Sequence, residues 1–449
     1  MHVVVLDIDS LRPDHVSSYG YQLETTPNID RLAADGTVFS TAYAANSPCM
    51  PSRAAFLSGR YGLSNGVTTH GPRGRILQSP HVLADTKYTR AWWTLPELFF
   101  NKRVRTVGVS SFPRHPAPWF YHLWHEFLHP QEPAGKRESF QTPRAETVAD
   151  LTIDRLREHA GDDTFLYAQF WDPHTPYNQP GLGESKSAAN YPLPPYPTAA
   201  TIDAHQEWDT WHSASRRGIE SRADLADLLA TYDNEIRYVD EQVGRIVDVL
   251  EAEGLYDDTL LVVTADHGEE FGEHGLYSEH WSTYEGTQRI PLIVKPPADA
   301  APLRSEVDTP VTNVDIAPTI ADYAGFDAPK RWQGRSLRSS LEGCEESLRE
   351  FVVVEHGLYT AQRAIRSAEW KLVRTYHAGL WDDRLERLEL YNLTDDPWEQ
   401  ENLVDDRPAL VEELRTTMFQ WVEEKSGVSQ DYLKTTAREG PAGLRWAKR

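Results

Sequence analysis

Short apolar runs alternate with segments of helical period along most of this chain, and that alternation restricts the folds open to it. Residues 3–8, 104–109, 165–170, 260–264 and 292–294 read as strands with almost no polar interruption, which suits strands covered on both sides. Residues 29–36, 147–159 and 225–254 repeat apolar side chains at helical spacing, the last ending at Gly254. Together these segments predict an α/β fold, with a large, mostly parallel central sheet flanked by helices.

The chain has 449 residues, 40% of them hydrophobic, which is enough for two domains. We expect an N-terminal α/β domain over 1–346 and a smaller C-terminal α+β domain over 347–449. In the second, 351–354, 362–366, 370–375 and 388–391 read as a short antiparallel sheet, and 410–424 as a helix packed on it. From Lys425 onward, glycine, proline and basic residues read as a tail, an arm onto another copy of the chain in a homo-oligomer. Residues 176–222 break the rhythm with prolines, glycines, His205, Trp208, Trp211 and His212, and read as an inserted, loop-rich lid.

A formal net charge of −23 leaves no basic face for a phosphate backbone and excludes general nucleic-acid binding. An anionic ligand would need a locally positive pocket. Cys49 and Cys344 are too few for a disulfide scaffold. Met1 runs directly into a strand without a leader pattern, and no apolar run reaches the roughly 18 residues of a membrane span. The expectation is a cytoplasmic protein without membrane association.

Cys49 opens the run Cys49-Met50-Pro51-Ser52-Arg53-Ala54-Ala55-Phe56-Leu57-Ser58-Gly59-Arg60. Pro51 suits the first turn of a helix and Gly59 its C-terminal cap. Cys49 then sits at a helix mouth, where free N–H groups favour an anion. Arg53 follows one turn later, and its guanidinium is expected to reach back over Cys49. A reactive side chain between an anion cradle and a forked cation suggests chemistry on an oxyanion ester.

Two strands also end in carboxylates. The first delivers Asp9, and the strand at 260–264 delivers Asp266 with His267. Ligands of doubly wound sheets gather at the carboxyl ends of strands, so these groups should converge. Buried there, they call for a hard divalent cation. Asp7 faces the same side as Asp9 at strand period and is read as a partner for an arginine, outside the ligand set.

The run from Cys49 through Tyr61 resembles the signature of the type I, formylglycine-dependent sulfatases of the alkaline phosphatase-like superfamily. Asp9-Ser10-Leu11-Arg12-Pro13-Asp14 is similar to that family's first metal segment, and Asp266-His267-Gly268-Glu269 to its second. Thr26-Pro27-Asn28-Ile29-Asp30, Tyr284-Glu285-Gly286, Arg289-Ile290-Pro291 and Val314-Asp315-Ile316-Ala317-Pro318 match further segments in family order. Glu389-Leu390-Tyr391-Asn392-Leu393 resembles the closing strand, so the similarity spans nearly the whole chain.

The resemblance implies a metal-dependent sulfuric ester hydrolase that releases sulfate and an alcohol from a small anionic sulfate ester. It implies that a separate formylglycine-generating enzyme oxidises Cys49 to an aldehyde, whose hydrate attacks sulfur in line. One divalent cation is implied, calcium first with magnesium or manganese as alternatives, held by Asp9, Cys49, Asp266 and His267. Arg53 would neutralise charge on the transferring group. His174, in Asp172-Pro173-His174-Thr175-Pro176, resembles the family's substrate-contacting histidine. His280 stands where many relatives place a lysine, and His115 where they carry a Lys-x-His pair; these three are the expected proton donors and contacts. Many sulfatases have paired aspartates at Asp9-Ser10 and asparagine at His267. The Asp-His form also occurs in phosphonate monoester and phosphodiester hydrolases of the superfamily, which is the alternative activity. A non-catalytic binding protein is the third reading, and the intact Cys49 segment argues against it.

Overall fold

The computed structural model describes residues 1–71, 93–112, 117–122, 124–131, 142–177, 191–207, 218–300, 303–343, 348–381, 385–426 and 431–447. Its centre is an eight-stranded sheet. Across it run Glu306–Val307, Thr37–Phe39, Leu292–Lys295, Thr259–Thr264, His2–Ile8, Thr164–Phe170, Arg105–Val109 and Glu126–Leu128. His2–Ile8 pairs in parallel with Thr259–Thr264 on one side and Thr164–Phe170 on the other, Val3 facing Leu260 and Phe165. Every residue of these three strands is buried, the reason their sequences lack a polar face. Leu292–Lys295 runs antiparallel to its neighbours, an exception inside a mostly parallel sheet.

Helices cover the sheet. Arg222–Ala252 is capped by the Ser221 side chain, which accepts from Asp224 N, and the chain leaves it through Gly254 at φ +69°. Ala145–Glu158 and Pro27–Ala34 pack against it as one layer. Cys49–Ser58 packs with Ile316–Tyr323 and Leu95–Asn101 as another. No helix among the described residues is long and apolar enough to cross a membrane.

A second sheet holds Leu388–Asn392, Trp370–His377, Ala361–Ser367 and Phe351–His356 in antiparallel order. The helix Pro408–Ser426 buries Val411, Leu414, Met418 and Trp421 against its Val353, Ile365, Leu372 and Leu390. Its fifth strand comes from far away: Asn46–Ser47 pairs in parallel with Glu355 and His356. The segment leading into Cys49 is thus an edge of the C-terminal sheet.

The described part of the stretch read as a tail is helical. Tyr432–Glu439 packs on the strands Ala361–Ser367 and Trp370–His377 of this chain's own C-terminal sheet, and Ala442–Ala447 meets the loop after Phe351–His356 through Gly443 N and Leu358 O. The lid expected over 176–222 is described only in part, with Trp208, Trp211 and His212 outside the described residues. Within it, Tyr191 donates to the buried Asp233 at 2.6 Å, and His205 meets Tyr277 Oη at 2.9 Å.

Candidate active site

The site forms where two parallel strands end side by side. Beyond Ile8 the chain turns sharply through Ser10 at φ +60°, which brings Ser10 N to within 3.3 Å of Asp266 Oδ1. Tyr232, from the long helix, locks this turn by donating to Ser10 O and accepting from Arg12 N. On the neighbouring strand, Asp266 accepts from the His267 backbone N–H at 2.9 Å. Gly268 must be glycine, because a methyl there would fall 2.2 Å from Gly286 O.

Cys49 is the first residue of the helix Cys49–Ser58, Pro51 lies in its first turn, and Gly59 ends it at φ +59°. Ser52 Oγ donates to Asp266 O at 2.5 Å and fastens the helix mouth to the metal-segment strand. Cys49 Sγ then lies 3.2 Å from His267 Nε2. Asp9, Cys49, Asp266 and His267 are all buried and offer donor atoms within 4.8 Å of one another. His267 Nδ1 faces Gly268 O at 2.8 Å and donates to it, so Nε2 keeps its lone pair toward the cluster.

Arg53 lies among carboxylates beside the Cys49 cluster, with Nε 2.8 Å from Asp7 Oδ2 and Nη1 at 2.6 Å from Asp266 and 3.1 Å from Asp9. Three buried aspartates converge on this one guanidinium, whose charge also acts on the Cys49 thiol. Asp7 is the arginine partner read from the strand period, and Tyr167 Oη donates to Oδ2, the same oxygen that Arg53 Nε binds. Burial pushes Asp7 up and Asp266 up to about 6. Burial, with the Asp9 and Asp266 charges, also holds the Cys49 thiol well above its ordinary value.

His174 and His280 both reach the site, each offering a nitrogen within 4.8 Å of Cys49 Sγ and of the other. His280 stacks on His267 with centroids 4.0 Å apart, and its Nδ1 is 3.0 Å from Glu269 Oε1. His174 Nδ1 lies 2.6 Å from Thr175 O and donates to it. His115 lies outside the described residues. The aromatic run 119–125 contributes packing: Trp124 stacks on Phe165, and Phe120 meets Phe112 and Tyr167.

Several neighbours had no motif to announce them. His70 Nε2 accepts from Met50 N at the mouth of the cysteine helix. His356 Nδ1 is 2.8 Å from Ser47 Oγ, two residues before Cys49. Tyr167 sits on a strand that reads only as apolar core.

The donor set fits a hard divalent cation. Three buried carboxylates face one guanidinium, an excess of negative charge that burial makes costly. Asp9 Oδ2 is buried without a hydrogen-bond partner, and Arg53 Nη1 at 3.1 Å meets it as an ion pair. A carboxylate pair with one imidazole suits calcium, magnesium or manganese.

Known proteins are similar to this chain over most of its length. A family model described as Sulfatase matches residues 1–326, and one described as N-sulphoglucosamine sulphohydrolase, C-terminal, matches 272–426. The choline-sulfatase of Rhizobium meliloti (strain 1021) is 27% identical over 93% of this chain and 85% of its own length. The structure of the 2-O GAG sulfatase BT1596 superposes with a TM-score of 0.74 at 20% identity, covering 95% of this chain and 92% of the other. The phosphonate monoester hydrolase of Agrobacterium radiobacter superposes at 0.70 and 20% identity, covering 94% and 96%. Because the first model spans well over half of it, the chain belongs to the sulfatase family of sulfuric ester hydrolases.

Proposed function

We propose that the protein hydrolyses small sulfate esters with a divalent cation, calcium in our reading, and a formylglycine made from Cys49 by a separate maturation enzyme. The observation that carries this is the placement of Cys49 Sγ inside the cluster of Asp9, Asp266 and His267. A thiol that burial keeps protonated is a poor nucleophile, and a thiol-bound sulfuryl group offers no second hydroxyl for release. A hydrated aldehyde at Cβ of residue 49, formed with loss of the sulfur, carries both hydroxyls, and the cation would supply Lewis acidity toward sulfuryl oxygens.

This chain's own residues do the rest. Asp9, Asp266 and His267 Nε2 hold the cation. Arg53, fixed by Asp7, orients Asp9 and Asp266 and balances part of their charge. Glu269 and the His267 ring hold His280 in place, and the Thr175 carbonyl holds His174. Either histidine, placed beside Cys49, would protonate the alcohol as it leaves.

The second reading is hydrolysis of phosphonate monoesters or phosphodiesters, favoured by the fold similarity to the Agrobacterium enzyme and by His267 in the metal segment. Parallel kinetics with an aryl sulfate, an aryl phosphodiester and an aryl phosphonate decide between them. The sulfate is expected to show the highest kcat/KM; a phosphorus ester ahead by orders of magnitude replaces the first reading with the second.

A further inference from the structure

The helices Tyr432–Glu439 and Ala442–Ala447 lie beyond residue 426, where the second family model ends. Nothing in the family assignment gives them a role. Two lines of contact lead from them to the proposed active site.

The first line is polar and buried. Asp431 caps the helix Tyr432–Glu439 by accepting from Leu433 N, and it binds the Arg363 fork at 2.9 and 3.1 Å. Arg363, 1% exposed, turns its Nε to Glu355 Oε1 at 2.6 Å. The other oxygen of Glu355 accepts from Asn46 Nδ2 at 3.0 Å. Asn46 belongs to the edge strand Asn46–Ser47, which runs through Pro48 into Cys49. Four side chains thus connect the C-terminal arm to the strand that aims the nucleophile.

The second line is a steric one. Gly443 N donates to Leu358 O at 2.7 Å, and a methyl at Gly443 would fall 2.3 Å from Tyr359 Cδ1. Tyr359 in turn packs on Trp281 with centroids 4.4 Å apart, and Trp281 follows His280 directly. Leu444 joins the apolar cluster around Trp281, Leu276 and Trp381. Burial, then the charge of Glu279, pushes the Tyr359 phenol up to about 12.

We propose that residues 431–447 are a positioning element of the active site, with Asp431 setting the Asn46–Cys49 strand and Gly443 setting Tyr359 against the His280 wall. This rests on the hydrolase reading above. Both links act through other side chains: Arg363 and Glu355 in one case, Tyr359 and Trp281 in the other. A buried charge relay holds geometry only while complete, because losing one member leaves the next unpaired. Misplacement by about 1 Å is enough to cost a reaction about a hundredfold.

The test uses the full chain with Cys49 conversion measured in every sample. Asp431→Asn and Gly443→Ala are compared with the parent by amide hydrogen exchange and by steady-state kinetics on 4-nitrophenyl sulfate and on sulfate esters of poorly acidic alcohols. We expect about tenfold faster exchange within residues 46–53 for Asp431→Asn and within 357–360 for Gly443→Ala, each against an unchanged central sheet. We expect kcat/KM on 4-nitrophenyl sulfate to fall about tenfold to a hundredfold through kcat for Asp431→Asn, and Gly443→Ala to lose kcat on sulfate esters of poorly acidic alcohols while 4-nitrophenyl sulfate loses little. Asp431→Glu should restore part of the Asp431→Asn loss. Unchanged exchange in both segments overturns the proposal, as does activity that falls only in proportion to unfolded protein. A parent chain that turns over no ester defeats the hydrolase reading instead, and exchange still decides the positioning role.

Discussion

Arg53 Nε donates to Asp7 Oδ2 at 2.8 Å, and both side chains are almost completely buried. That contact keeps the rest of the guanidinium turned toward Asp9 and Asp266, so one arginine ties three carboxylates into a single unit. Replacing Asp7 with alanine removes one half of a buried ion pair. A loss of about 3 kcal/mol in unfolding free energy is expected, measured by urea denaturation. Freed from Asp7, Arg53 competes for the remaining aspartates, and calcium affinity should fall about tenfold to a hundredfold by calorimetric titration.

Chelation followed by re-addition of single ions checks the donor set. The stripped protein should lose turnover and melt at a lower temperature, because a ligand of the folded state alone stabilises it by mass action. Calcium, manganese or magnesium should restore both. Restoration by none of them would argue against a cation at Asp9, Asp266 and His267.

His280 sits between Glu269 and His267, and in the proposed mechanism it donates a proton to the departing alcohol. His280→Ala should slow esters of poorly acidic alcohols by about a hundredfold or more and 4-nitrophenyl sulfate far less. A plot of rate against leaving-group pKa should steepen in the variant. A parallel shift of the whole line would assign His280 to binding.

Away from the reacting atoms, burial pushes Glu270 from its ordinary 4.5 up to about 8, although Ser282 and Thr287 donate to it. The folded state therefore holds a proton that the unfolded chain releases above its ordinary value. This contribution to stability is complete below the ordinary value and fades as pH rises toward about 8, by up to about 1.4 kcal/mol per pH unit. Glu270→Gln should flatten the fall in urea midpoint between pH 5 and pH 8 relative to the parent. An unchanged slope would mean that Glu270 is ionised in the folded protein.

Much of this molecule was legible from its sequence. The central strands are apolar because both their faces are covered, and pattern recovers them. Asp9, Asp266, His267, His174, His280 and Cys49 lie at strand ends or helix mouths within recognisable segments, and the structure brings all six together. What stayed hidden depended on long-range geometry. Asn46–Ser47 is too short to show a period, and its partner strand lies some 300 positions away in the chain. The carboxylate partners of Arg53 on two strands are also beyond helix spacing, which describes only neighbours on one helix. His70 and His356 are lone histidines that gain meaning only from Met50 N and Ser47 Oγ. The helices after residue 431 were masked by a composition rich in glycine, proline and charge.

The most direct measurement joins mass spectrometry of the peptide containing Cys49 to turnover of the same sample from its native host. An aldehyde in place of the thiol, in a fraction that tracks aryl sulfate hydrolysis from batch to batch, is the expected result. Full activity from protein whose Cys49 is an unmodified thiol would contradict the mechanism outright.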